Sequence, residues 1–229
     1  MKILVTGFEP FGGDAVNPSA MAVGLLPEQI EDADIIKKVL PVVFGEAADQ
    51  LTETIRQELP DAVICTGLAA GREGITPELI AVNMRHARIP DNAGAQPEQE
   101  KILPDGEDGL FSTLPIREMV QAMNDAGIHA EISETAGTYV CNEVMYRLLD
   151  CCREEYPDIK AGFIHLPRAV DCLESAAECL PEVKEVSAVP FSQMGNAMPM
   201  EEIVQALKIC VRETANRIKE ENPPVTRVR

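Results

Sequence analysis

The sequence predicts an α/β fold of three layers, with a mostly parallel, twisted central sheet between two layers of helices. Two short apolar runs, Ile3-Leu4-Val5 and Ala62-Val63-Ile64-Cys65, lead into glycines at Gly7 and Gly67, as strands buried on both faces of a parallel sheet do. Segments of helical spacing alternate with these runs, the pattern of an α/β domain. No repeat, low-complexity tract or linker divides the 229 residues, so residues 1–229 read as one domain. A chain of this length buries roughly 70–75% of its unfolded surface without staples.

The elements follow in order. After the first strand, Phe8-Glu9-Pro10-Phe11-Gly12-Gly13 is loop chemistry with two aromatics. Asn17-Pro18-Ser19 starts a helix over 20–26, with Pro18 in the first turn. A strand fits 34–40, and Ala47, Ala48, Leu51, Ile55 and Leu59 line one side of a helix ending at Pro60. The strand at 62–65 runs into a glycine-rich loop from Thr66 through Gly67 and Gly71 to Gly74. Residues 76–84 alternate as a strand, and Pro77 limits it to an edge or an irregular opening. Residues 85–108 show no period, and a loop of that length is usually functional or disordered.

Pro115 opens a helix through Met119, Val120 and Met123 that closes at Gly127, and 129–133 reads as a strand. Thr135 to Glu143 is then a strand end, a small-residue turn and a helix start that places Cys141 just inside a helix running to about Tyr156. Residues 161–167 form another buried strand carrying His165. An acidic helical turn around 173–179 and a loop near 193–196 precede a last helix with Ile203, Leu207, Cys210, Val211 and Ile218; the tail beyond Asn222 frays.

Composition removes several function classes. Thirty-eight acidic against 20 basic residues give a net charge of −18, which repels the phosphates of nucleic acid and of anionic membranes. The first residues lack a signal-peptide core, and no run approaches a membrane span. Seven cysteines with no C-x-x-C, and histidines at 86, 129 and 165 outside metal-ligand spacing, point to reduced thiols in a cytoplasm and to no metal.

Four features fall at strand carboxyl ends, where α/β sheets bind ligands: the Phe8–Gly13 loop, the Gly67–Gly74 loop, Cys141 and His165. A cysteine thiol titrates near roughly 8.5, and a helix N-terminus lowers that value. Catalysis by it needs a base and an orienter for the base. His165 closes an apolar strand, whereas His86 and His129 look solvated; Glu78 stands at the mouth of the apolar run Leu79-Ile80-Ala81-Val82 and would need a partner if buried. Arg88 reads either as an oxyanion donor or as a surface partner of Asp91. The glycine loops match no full phosphate-binding pattern and no lysine follows them. A phosphate-using transferase, or a small-molecule binding protein with a structural Cys141, would suit the same fold.

Five segments in order resemble the pyroglutamyl peptidase I (pyrrolidone-carboxylate peptidase) family of cysteine peptidases. They are Thr6–Gly13 with Asn17-Pro18-Ser19, Ile75-Thr76-Pro77-Glu78, Ala87–Asn92, Thr135–Asn142 and Gly162–Pro167. The resemblance implies a thiol-dependent enzyme without cofactor that removes N-terminal pyroglutamate from peptides, in the cytoplasm, as a homo-oligomer of two or four chains. It implies Cys141 as nucleophile, His165 as base and Glu78 as orienter, with Arg88 and the Cys141 N–H at the oxyanion. Phe8, Phe11, Asn17, Leu68, Ile89, Tyr139 and Val140 would form the substrate pocket. Leu68 stands where some members carry Gln, Ala70 where they carry Gly, and Tyr139 where phenylalanine is common.

Overall fold

The computed structural model describes residues 1–170 and 197–223. In chain order the elements are β1 (Lys2–Phe8), α1 (Pro18–Leu25), β2 (Gln29–Ile30), β3 (Ala33–Leu40), α2 (Glu46–Glu58), β4 (Ala62–Leu68), β5 (Thr76–Pro77), β6 (Ile80–Val82) and β7 (Gly109–Phe111). They continue with α3 (Ile116–Asp125), α4 (Val140–Glu155), β8 (Lys160–Leu166), β9 (Arg168–Ala169), β10 (Ala197–Met198) and α5 (Met200–Glu221).

The central sheet has the order β2-β3-β1-β4-β8-β5. Its four long strands run parallel, and the short β2 and β5 close the two edges antiparallel. Alternation along the buried strands divides the core into two layers. Ile3, Val5, Ile64, Ile164 and Leu166 pack with α1, α3 and α5, whereas Leu4, Val63, Cys65 and Phe163 pack with α2 and α4. The mostly parallel three-layer expectation therefore holds. The chain leaves β1 toward β3 on one side and later reaches β4 on the other, so a crevice opens beyond the carboxyl ends of β1 and β4.

Local chemistry fixes the approach to that crevice. Asn17 caps α1 by accepting from Ser19 N at 3.0 Å, and its amide donates to the Glu9 carbonyl at 3.0 Å. The Ser19 hydroxyl accepts from Phe8 N at 2.9 Å, so α1 begins against the end of β1. The 85–108 loop is held rather than loose: Asp91 accepts from Phe44 N, Ala93 N and Ala95 N, and Arg85 and Glu100 pair through backbone and side chains.

Several boundaries differ from the sequence reading. Leu59 is not on the buried side of α2; it ends the helix at φ 46° and is 63% exposed. The segment from Thr66 to Leu68 is still strand, because β8 continues beside it in register as far as Leu166. The predicted strand over 76–84 breaks into β5 and β6 around Glu78 and Leu79, where Leu79 N turns to the Ser133 carbonyl instead. Residues 129–133 join 75–79 through four backbone hydrogen bonds but make only two bridges, Ile75↔Ala130 and Glu78↔Ser133, beside a β5 of two residues. The expectations for 173–179, 193–196 and the tail after 223 lie outside the described residues.

Gly7 shows how tightly β1 meets α1. A Cβ there would lie 2.6 Å from the Ser19 carbonyl carbon and oxygen and 2.7 Å from Ala20 N, all backbone atoms. Gly7→Ala is expected to cost about 1–3 kcal/mol, measured by urea denaturation; an unchanged midpoint would refute the close approach.

Candidate active site

The sheet itself brings the predicted groups together. In the parallel β4–β8 pair Gly67 lies opposite His165, and in the antiparallel β5–β8 pair Pro77 lies opposite Ile164. Glu78, one residue on, donates its N–H to the Phe163 carbonyl at 2.9 Å. Glu78 thus shares the face of Phe163 and His165 and is a diagonal neighbour of the imidazole. The result is a hydrogen bond of 2.6 Å from His165 Nδ1 to Glu78 Oε1, with Glu78 at 0% and His165 at 5% exposure. An ionised carboxylate only accepts, so Nδ1 carries the hydrogen and Nε2 is left free to take a proton.

Cys141 is the second residue of α4, which starts from Tyr139 at its N-cap. A Cβ built on Gly67 would lie 3.0 Å from Cys141 Sγ and 2.9 Å from Phe163 Cζ. The thiol therefore occupies the space that Gly67 leaves beside His165. Asn142, fully buried, fixes the helix start by binding Val82 N, the Val82 carbonyl and the Met84 carbonyl at 2.8–3.0 Å. Glu143, also buried, accepts from Gly45 N and pairs with Arg85.

The thiol does not behave as the helix N-terminus alone predicts. Burial first, then the Glu78 charge and Cys65, push it up to about 12, against the pull of its own backbone N–H and of Arg72. A standing thiolate is therefore disfavoured, and a base that takes the proton is required. Burial likewise raises Cys65, Cys152 and Cys210 from 9.0 to about 12. The five described cysteines are unpaired; Cys172 and Cys179 lie outside the described residues.

Beside the thiol is a cavity of about 120 Å³ lined by Phe8, Phe11, Asn17, Val42, Leu68, Ala136, Tyr139, Val140, Cys141 and His165. An apolar cavity of roughly 150 Å³ takes benzene, so this one suits a small ring. Phe8 packs on Phe163 at 6.3 Å and Phe163 on His165 at 4.8 Å between ring centroids. Tyr139 meets Phe44 edge-on at 5.3 Å and Phe11 at 6.3 Å, and its hydroxyl donates to the Pro90 carbonyl at 3.0 Å.

Six of the seven predicted pocket residues line the cavity. Ile89 does not; it is half-buried on the neighbouring loop. Arg88 is also outside the lining and is exposed. His86 and His129 are exposed, as expected. Val42 and Ala136 went unforeseen, since small aliphatics carry no chemical signal. Arg72 was missed as well: it pairs with Glu78 Oε1 at 2.7 Å, and an arginine in a glycine-rich loop at a strand end was the available clue. Among the described residues, no group of three His, Cys, Asp or Glu side chains forms a metal site, and no helix is long and apolar enough to cross a membrane.

Two measurements test this geometry. Gly67→Ala is expected to change the rate at which iodoacetamide alkylates Cys141 far more than it lowers stability, because the new methyl must displace Cys141 Sγ or Phe163; an unchanged rate would contradict the packing. The buried thiols give a second test. From about pH 9 to about pH 12 the unfolded chain sheds thiol protons that the folded chain keeps. Stability therefore falls as pH rises through that window. Cys210→Ala is expected to flatten the fall in urea midpoint; an unchanged slope would refute it.

Comparison with known proteins agrees with the geometry. The pyroglutamyl peptidase family profile matches residues 1–217. The pyrrolidone-carboxylate peptidase of Lactobacillus johnsonii is 52% identical over 167 residues, 73% of this chain and 78% of that protein, and one from Clostridium perfringens is 51% identical over the same shares. Among solved structures, pyroglutamyl peptidase I from Bacillus amyloliquefaciens superposes with a TM-score of 0.82 at 38% identity, covering 93% of this chain and 94% of that one. Pyrrolidone carboxyl peptidase from Thermococcus litoralis gives 0.84 at 36% identity, covering 100% and 99%. The chain belongs to the pyroglutamyl peptidase family.

Proposed function

We propose that this chain is a cysteine omega-peptidase that hydrolyses the N-terminal pyroglutamyl residue from peptides, through a thioester on Cys141. The observation that carries the reading is the small aromatic cavity shared by Cys141 and His165, whose imidazole is held at 2.6 Å by Glu78. The pyrrolidone ring is flat and uncharged, with one N–H and one C=O. Phe8, Phe11, Tyr139 and Val140 offer it apolar walls, and the Leu68 main chain at the end of β4 offers the polar pair. A charged α-amino terminus would be desolvated there without a partner, which rejects ordinary peptides. Asn17 shapes the wall, its side chain being engaged with Ser19 and Glu9.

The steps follow from the tautomer. His165 Nε2 takes the Cys141 proton as Sγ attacks the pyroglutamyl carbonyl carbon, giving a tetrahedral oxyanion. The N–H of Cys141 lies in the first turn of α4, where helix amides have no intrahelical acceptor, and supports that charge. Arg88, exposed on the loop outside the cavity lining, remains the second donor that this reading gives the oxyanion. Collapse breaks the C–N bond, and the leaving amine takes the proton from His165. Water then adds to the thioester, again losing its proton to His165, and Sγ leaves, is reprotonated and releases pyroglutamic acid. Glu78 holds the imidazole orientation and stabilises the imidazolium throughout. A thiol enzyme with unpaired cysteines suits a reducing compartment, so the cytoplasm and a homo-oligomer of two or four chains complete the reading.

With a fluorogenic pyroglutamyl amide, Cys141→Ala and His165→Ala are expected to lose at least about 10³-fold in kcat, and Glu78→Gln about 10²–10⁴-fold. Substantial turnover by Cys141→Ala would reassign the nucleophile. Iodoacetamide labelling should modify Cys141 and be blocked by a pyroglutamyl aldehyde.

A further inference from the structure

Glu78 is an ionisable group with no access to water, and its imidazole partner supplies a hydrogen bond but no charge when neutral. A buried carboxylate loses several kcal/mol of solvation that must be offset locally. One oxygen carries the whole contact. Oε1 meets His165 Nδ1 at 2.6 Å and Arg72 Nη1 at 2.7 Å, while Oε2 is buried without a partner. Among the described residues, Arg72 is the permanent cation paired with this carboxylate.

The guanidinium does more than neutralise. Nη1 also donates to the Thr76 hydroxyl, which in turn donates to the His165 carbonyl at 3.3 Å. Nη2 donates to the Thr135 carbonyl at 3.0 Å. One planar fork thus touches the orienting carboxylate, reaches the His165 backbone through Thr76 and holds the segment that leads into Cys141. A fork of this kind fixes angles as well as charge, which a lysine cannot reproduce. Its charge is also among the influences that draw the Cys141 thiol toward ionisation.

We propose that Arg72 is a positioning residue for hydrolysis: it compensates the buried Glu78 carboxylate and locks Glu78, His165 and the Thr135 turn into one arrangement. The proposal rests on the reading that Cys141, His165 and Glu78 carry the reaction. Arg72 touches neither the cavity lining nor the reacting atoms, so its effect is on turnover rather than on ring binding.

The test compares Arg72→Ala, Arg72→Gln and Arg72→Lys with His165→Ala on a fluorogenic pyroglutamyl amide, each checked for native circular dichroism. Arg72→Ala and Arg72→Gln are expected to lower kcat by about 10- to 100-fold, below the loss from removing one direct transition-state donor, with KM within about threefold. Arg72→Lys keeps the charge but loses the Thr135 bond and should fall between them and the parent. Added guanidinium chloride at non-denaturing concentration should restore part of kcat to Arg72→Ala and none to Glu78→Gln. If Arg72→Ala does not fold, Arg72→Gln and Arg72→Lys decide, since a purely structural arginine gives folded variants of equal kcat. Parental kcat in the folded neutral variants, or a loss seen only in KM, overturns the proposal while an inactive His165→Ala leaves the assignment of the base standing. An active His165→Ala removes that assignment itself.

Discussion

A carboxylate placed out of reach of water sets the terms for the rest of this fold. Glu78 sits at 0% exposure, and a group of that kind persists only where neighbours replace the solvent it has lost. The edge strand β5 gives way after two residues, and the chain at Glu78 is held by Phe163 on one side and Ser133 on the other. That double attachment carries the side chain across β8 to His165. The antiparallel edge at β5 is therefore the element that brings Glu78 to His165. A parallel strand there would need a longer crossover to reach the same place.

Cys141 arrives from a different layer, and its fit depends on what is missing. Gly67 faces His165 and lacks a side chain, so the first turn of α4 can bring sulfur over the sheet. The same burial that shapes this niche pushes the thiol pKa up. In the proposed reaction His165 takes the thiol proton when a carbonyl is in place. Aromatic walls surround a cavity of about 120 Å³, the size of a small ring. In the proposed function, specificity and activation thus come from adjoining surfaces of one crevice.

Much of this was legible in the residues. Apolar runs ending in glycine located β1 and β4, and helical spacing with Pro18, Pro115 and Pro157 located α1, α3 and α4. The places of Cys141, His165 and Glu78 were readable because one opens a helix after a small-residue turn, one closes an apolar strand and one stands at the mouth of an apolar run; their roles came from the likeness of five segments to a known family. What stayed hidden depended on pairing across the sheet. Thr66 to Leu68 look like loop until β8 is laid beside them, and residues 129–133 look like strand until their partner proves too short. Arg88 and Ile89 sit near the right loop but outside the cavity, since sequence distance says nothing of direction. Arg72 was hidden for the converse reason: its partner is six residues away but reached only through a folded turn.

The buried cysteines give this chain a division of labour within one element. Cys65, Cys152 and Cys210 serve as dense, compact packing, and their sulfur is as reluctant to ionise as that of Cys141. Intrinsic acidity therefore does not single out Cys141. What separates them is company: Cys141 shares a cavity wall with an imidazole, and the others are set in hydrocarbon. A protein organised this way can spend sulfur freely in its interior, because chemical competence resides in an address rather than in the atom.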